Sequence, residues 1–252
     1  MNRHNSKTYW DTFPLGRKDG SFEEELLYRN RLDYIFSEFV DTLDLENKRI
    51  LDLGCGQGIW SYYMLSKGAK EVIGIDISEV SINNACKKQE MMRIDAKRMK
   101  FILYDGLGIP FKDNSFDVVH SDGVIHHAED DRMFLKESYR VLREGGGFAG
   151  CVYNKISPGF VARGLLRKMP FSSVHYRPGQ ESTFLPEILL CPISRHYTVS
   201  EWRNCLNESG YKQCRIFPDY SGIGRFWPWL GKYFDKITMG KLGYYLFWKS
   251  IK

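Results

Sequence analysis

The chain has 252 residues, 43% hydrophobic and 27% charged, enough for one packed domain with an insertion, and its net charge of +5 permits an anionic partner without requiring one. Its six cysteines (Cys55, Cys86, Cys151, Cys191, Cys205 and Cys214) form no C-x-x-C pair and no metal-ligand spacing, which excludes a zinc site and predicts reduced thiols in a cytoplasmic protein. The N-terminus is polar and no run of 18 apolar residues occurs, so neither a signal peptide nor a transmembrane span is expected.

Residues 1–47 precede the first strand. Between Phe22 and Leu45, the residues Leu26, Leu27, Leu32, Ile35, Phe36, Phe39, Val40 and Leu43 recur with a helical rhythm, which predicts a helix packed on the sheet edge. Ile50, Leu51 and Leu53 then form the short apolar run of a buried strand, and Gly54, Gly56 and Gly58 follow at alternate positions. Without side chains, such a backbone can turn sharply and lie against a ligand. Ile59, Trp60, Tyr62, Tyr63, Met64 and Leu65 suit a helix, so the glycines occupy a strand-to-helix turn. In an open α/β sheet that turn lies at the carboxyl end of the strand, where ligands bind.

A tight loop with no ligand would explain the glycines taken alone. The next strand argues against it: Glu71 to Asp76 ends on a carboxylate 18 residues past Gly58, placed to accept hydrogen bonds from both hydroxyls of a ribose. Dinucleotide and S-adenosylmethionine sites share this much, and the spacing separates them. The G-x-G-x-x-G of a dinucleotide site, counted from Gly54, needs a glycine where Ile59 stands.

Ser78 caps a predicted helix to about Met92, and the pairs Lys87-Lys88 and Lys97-Arg98 read as a solvated face, because no aromatic residues interleave with them. Lys100 to Tyr104 is the third strand, ending on Asp105-Gly106, and Phe116 to His120 is the fourth, with Ser121 to His127 at its carboxyl end. Asp130 or Asp131 opens a helix to about Leu142, Glu144 to Gly147 makes a tight turn, and Phe148 to Tyr153 is the fifth strand. Alternating strands and helices of this length indicate a parallel, doubly wound sheet. Prolines and glycines break the alternation over residues 154–197. Ser200 is the expected cap of a later helix that buries Trp202 and Leu206; strands from Gly210 to Phe217 and from Tyr244 to Ile251 close the chain. The segment 221–243 is rich in aromatic and basic residues, including Arg225, Trp227, Trp229 and Lys232. Packing against the hairpin is one reading of it, and a surface for a membrane interface or a lipophilic substrate is the other.

Through L-D-L-G-C-G-Q-G at 51–58, G-I-D-I-S at 74–78, Y-D-G at 104–106, F-D-V-V-H-S-D-G-V-I-H-H at 116–127 and V-L-R-E-G-G-G-F at 141–148, the chain resembles the class I S-adenosylmethionine-dependent methyltransferases. Within them it is similar to the small-molecule group that includes the quinone-biosynthesis C-methyltransferases. The resemblance is strong over about 48–153. It implies an α/β fold with a seven-stranded, mostly parallel, Rossmann-like sheet ending in an antiparallel hairpin. Residues 1–47 would be a helical cap segment, with Tyr9 and Trp10 as lid residues, and 48–252 the methyltransferase domain. An insertion at about 154–200 would cover the substrate, with His175, Tyr176, Arg177, His196 and Tyr197 available to line it.

The cofactor set implied is Asp52, Gly54, Cys55, Gly56, Gly58, Asp76, Ile77, Asp105, Gly106 and Ser121. Asp52 and the glycines would hold the methionine end, Asp76 the ribose, and Asp105 with the Gly106 amide the adenine. Methyl transfer from a sulfonium needs a base only where the nucleophile must lose a proton. His126 and His127 are the candidates, since an imidazole accepts a proton near neutral pH; a capping or adenosine-bonding role competes. Adjacent side chains diverge, so one of the two should face the donor. Enzymes of this fold that methylate base amines or glutamine amides carry an Asn/Asp-Pro-Pro-aromatic tetrad where Ser121-Asp122-Gly123-Val124 stands. Its absence favours oxygen or an activated carbon on a small molecule, with no nucleic acid partner. RNA or protein methylation and a non-catalytic scaffold are the rival readings.

Overall fold

The computed structural model describes residues 3–12, 14, 20–32, 34–157, 193–219 and 243–252. Seven strands form one sheet in the order β3-β2-β1-β4-β5-β7-β6. β1 (Arg49–Leu53), β2 (Glu71–Asp76), β3 (Met99–Leu103), β4 (Phe116–Asp122) and β5 (Leu142–Tyr153) run parallel, while β6 (Lys212–Asp219) and β7 (Tyr245–Ile251) pair antiparallel. Ile50, Leu51, Leu53, Val72, Ile73, Ile75 and Val119 are buried, as strands covered on both faces require. The strand order reverses between β1 and β4, so the glycine turn after β1 opens at the switch point of the sheet.

Side-chain alternation sends neighbouring strand residues to opposite layers. Leu51, Leu53, Ile73 and Val119 pack with Phe134, Leu135, Trp202 and Leu206, carried by α6 (Asp131–Val141) and by a later helix, Val199–Glu208, labelled α7. Ile50, Val72 and Val118 pack on the other face with Trp60 and Met64 of α4 (Ile59–Ser66), Ile82 of α5 (Glu79–Met91) and Phe22 of α2 (Phe22–Leu32). Phe39 of α3 (Tyr34–Val40) lies with Cys151 and Phe247 in a third cluster over β5 and β7.

The expected helix over 22–45 is thus two helices, α2 and α3. α2 starts on a reciprocal cap: the Ser21 hydroxyl accepts from Glu24 N at 3.1 Å, and the Glu24 carboxylate from Ser21 N at 2.9 Å. Ser78 caps α5 as predicted, and of the two candidates Asp130 and Asp131 it is Asp130 that caps α6. For α7 the cap is Thr198, not Ser200. The hydroxyl of Thr198 accepts from Glu201 N (3.2 Å) and the Glu201 carboxylate accepts from Thr198 N (2.7 Å), a pairing Ser200 cannot make from inside the first turn.

Two further expectations change. The predicted turn at 144–147 is a bulged start of β5: Leu142 pairs with Phe116 and Gly147 with Val118, so residues 143–146 sit opposite Asp117 alone. The C-terminal residue closes that bulge, Lys252 N donating to Gly146 O at 3.0 Å. Lys88 is not on a solvated face; it is 3% exposed and ion-paired with Glu25 at 2.5 Å. Of the expected insertion and the aromatic-basic segment, residues 158–192 and 220–242 lie outside the described residues, and with them His175, Tyr176, Arg177, Arg225, Trp227, Trp229 and Lys232. No helix among the described residues is long and apolar enough to cross a membrane.

Candidate active site

The glycine turn is held from beneath by β2. The amides of Gly54 and Cys55 both donate to Ile75 O, at 2.8 and 3.0 Å. Gly54 has φ 76°, and a Cβ there would lie 2.3 Å from Val124 Cγ2, so no other residue fits. Gly56 has φ 52°, and a Cβ there would meet no atom within 4 Å: it would project into the open cavity. Asp76 fastens the turn to the second strand end. Its Oδ2 accepts from Gly56 N and its Oδ1 from Ser78 N, both at 2.8 Å. Burial pushes the Asp76 carboxyl up to about 6, against the opposing pull of those two amides.

Over these strand ends lies a cavity of about 780 Å³. Of the predicted residues it is lined by Gly54, Gly56, Asp76, Ile77, Asp105, Gly106 and His127. Asp105 and Gly106 stand at the end of β3, where Leu107 N donates to Asp105 Oδ1 at 2.9 Å and shapes the loop. Leu103, Ile77 and Phe134 give the cavity an apolar side.

Asp52, Cys55, Gly58, Ser121 and His126 do not reach this wall. The carboxylate of Asp52 is buried behind the turn, where it accepts from Ser61 Oγ at 2.6 Å and meets His120 Nδ1 at 3.0 Å. Cys55 is buried, its Sγ close enough to Gly74 that a Cβ there would lie 2.8 Å away. Gly58 abuts Phe101 and Phe22, and Ser121 donates to Leu53 O at 3.1 Å inside the sheet.

The two candidate bases diverge. His127, in the 3-10 turn Ile125–His127, borders the cavity, and its Nδ1 lies 2.6 Å from Ile193 O. A carbonyl only accepts, so Nδ1 carries the proton and Nε2 the lone pair. Burial lowers the imidazole to about 4, partly opposed by that carbonyl. His126 is fully buried, its ring centroid 3.9 Å from that of Tyr153, and among the described residues neither ring nitrogen has a hydrogen-bond partner. Burial, with His127 and His196 nearby, lowers it well below the ordinary value.

Asp122 and Glu129, which no sequence motif singled out as site residues, also line the cavity. Asp122 closes β4 and accepts from Cys151 Sγ at 2.8 Å; its place beside Ser121 was the available signal. A helix of its own, α1 (Arg3–Thr12), brings Ser6, Lys7 and Trp10 to the cavity rim. It is tied down by Ser78 Oγ, which donates to Asp11 Oδ1 at 2.9 Å, and the Trp10 ring meets the His127 ring at 5.3 Å. Tyr9 is buried against Trp10 and does not border the cavity.

The sequence profile described as "Methyltransferase domain" matches residues 51–150. A ubiquinone/menaquinone biosynthesis C-methyltransferase of Rickettsia prowazekii is 34% identical over 186 residues, covering 70% of this chain and 73% of that protein. The chain therefore belongs to the class I S-adenosylmethionine-dependent methyltransferases, a family whose methyl donor is S-adenosylmethionine. It is also similar to phosphoethanolamine N-methyltransferase 3 of Arabidopsis thaliana, 34% identical over 43% of this chain but only 22% of that protein. Across several curated relatives the chain spans 22% to 37% of their length. Among solved structures, the methyltransferase bound to the Trm112 activator of Haloferax volcanii shares the fold, with a TM-score of 0.65 over 98% of this chain and 96% of that one at 16% identity.

The cavity fits that donor. Gly56 leaves open space beside a backbone turn, Asp76 presents a carboxylate at the second strand end, and Asp105, Asp122 and Glu129 also line the cavity. Because Asp76 titrates near 6, its protonation removes an acceptor on the acidic side. Affinity for S-adenosylhomocysteine is therefore expected to be flat above pH 7 and to fall below about 6, by at most about tenfold per pH unit for one coupled proton. Calorimetric titration over roughly pH 5 to 8 checks this, with the Asp76→Asn variant expected to lose the slope.

Proposed function

We propose that the enzyme methylates a small-molecule acceptor at oxygen or an activated carbon. The observation that carries this is His127, placed on the cavity wall with its lone pair on Nε2, next to Trp10 of the leading helix. A relative named as a quinone-biosynthesis C-methyltransferase, and the lack of the Pro-Pro tetrad at 121–124, support the same acceptor chemistry.

The donor supplies a methyl group on a sulfonium, already activated for displacement. The chain's residues bind and orient. The Gly54–Gly56 backbone receives the methionine end, Asp76 accepts from the ribose hydroxyls, and Asp105 with the Gly106 amide meets the adenine against Leu103 and Ile77. Helix α1 caps the cavity with Trp10 and limits water there. His127 stays neutral at physiological pH because burial opposes its charge. It is a weak resting base, suited to holding the acceptor's hydroxyl proton at Nε2 and taking it as the new bond raises that proton's acidity. His126, sealed behind His127 and Tyr153, is not assigned to the proton.

The test is turnover of labelled S-adenosylmethionine with hydroquinones and phenols as acceptors. His127→Asn is expected to lower kcat by about a hundredfold or more while S-adenosylhomocysteine affinity stays within about twofold. Unchanged kcat in that variant would remove the proton role.

A further inference from the structure

Gln57 stands between two cofactor-turn glycines, yet its side chain is buried against α5 and does not line the cavity. Its Oε1 accepts from Lys88 Nζ at 3.2 Å. The same ammonium donates to Glu25 Oε2 of α2 at 2.5 Å, and Glu25 Oε1 accepts from Arg29 Nε at 3.3 Å. Lys88 and Glu25 are 3% and 2% exposed, so water does not substitute for either partner. A second contact joins the same elements. Gly58 has no room for a Cβ because Phe101 and Phe22 stand 2.5 and 3.2 Å from its position, and Phe22 is the first residue of α2. The Phe22 ring also stacks on Tyr62 of α4, 5.2 Å between centroids.

One buried ammonium thus serves two masters that belong to different parts of the chain. If α2 lifts, Lys88 loses its countercharge; if the turn shifts, it loses Gln57. We infer that Lys88 is a positioning residue, and that the Glu25–Lys88–Gln57 relay couples docking of α2 to the geometry of the donor-binding turn. The inference rests on that turn being the donor site. Linkage makes the effect reciprocal: donor-site occupancy tightens α2, and a docked α2 raises affinity.

The experiment combines calorimetric titration of S-adenosylhomocysteine with amide hydrogen exchange over residues 22–32, on the full chain and on two variants. Gln57→Leu cuts the relay at the turn and leaves the Lys88–Glu25 pair in place; Lys88→Met cuts both links. In the unsubstituted protein, S-adenosylhomocysteine is expected to slow exchange in α2. Gln57→Leu is expected to bind about tenfold more weakly, ~1.4 kcal/mol, and to show no slowing at saturation. Lys88→Met is expected to exchange faster in α2 even without ligand; should Gln57→Leu fail to fold, the loss of ligand-induced slowing is read in Lys88→Met. Slowing as large in the variant as in the unsubstituted protein overturns the coupling, whatever the affinity, and so does an unsubstituted protein whose α2 ignores the ligand. A folded, unsubstituted protein that binds no S-adenosylhomocysteine overturns the donor site first and the coupling with it.

Discussion

Asp76→Ala is expected to weaken S-adenosylhomocysteine binding by at least about tenfold, ~1.4 kcal/mol, without a matching fall in thermal stability. On the proposed reading the carboxylate serves the donor in two ways. It accepts from Gly56 N and Ser78 N, each at 2.8 Å, and so sets both the turn and the start of α5. It also borders the cavity, where the proposed donor's ribose hydroxyls would find an acceptor. Alanine removes both. Stability is expected to respond less, and the sign follows from the titration. The folded carboxyl titrates near 6, above its ordinary 3.8, because burial disfavours the charge. Its favourable contribution is full below the ordinary value and is lost as pH rises through 6, so at neutral pH the ionised group does not add to folding. Asp76→Asn keeps one acceptor and is expected to fall between the two. Calorimetry and thermal unfolding of the same samples separate the effects, and wild-type affinity in Asp76→Ala would remove Asp76 from the site.

The features legible in the sequence were those written in short-range pattern. Apolar runs bounded by turn residues marked the five parallel strands, and the alternating glycines with Asp76 marked the switch point, because each depends on residues near one another in the chain. What was not legible depended on distant partners. Lys88 beside Lys87 reads as a solvated pair until Glu25, from another helix, is brought against it. His126 and His127 are equivalent in sequence, and the turn Ile125–His127 together with Ile193 decides which one meets the cavity. Thr198 and Ser200 both suit a cap, and Glu201 settles the choice by answering the Thr198 amide. Asp122 follows a strand residue that was singled out, but only the closing of β4 against β5 turns it to the cavity beside Cys151.

Asp52→Ala is expected to cost about 3–5 kcal/mol of folding stability, as loss of one member of a buried pair does. For a chain of this size that corresponds to a Tm lower by roughly 6–20 °C. The reasoning is local. Asp52 is 2% exposed and His120 is 1% exposed, and the carboxylate is bonded to both His120 Nδ1 and Ser61 Oγ. Burial pushes His120 down, but the hydrogen bond and charge of Asp52 outweigh it, so the imidazole is raised above its ordinary 6.5. With a raised folded value, the pair's stabilisation is full below the ordinary value and is lost as pH rises through the folded one. The gap in Tm between the unsubstituted protein and Asp52→Ala is therefore expected to narrow toward alkaline pH. A carboxylate that held the methionine end of the donor would behave otherwise: its removal would weaken S-adenosylhomocysteine and leave Tm nearly unchanged. Thermal unfolding at acidic and alkaline pH, with ligand affinity measured well below the transition, decides between them. A lower Tm with its largest deficit at acidic pH assigns Asp52 to the scaffold that holds the turn from behind, while affinity lost at full stability returns it to the cavity wall.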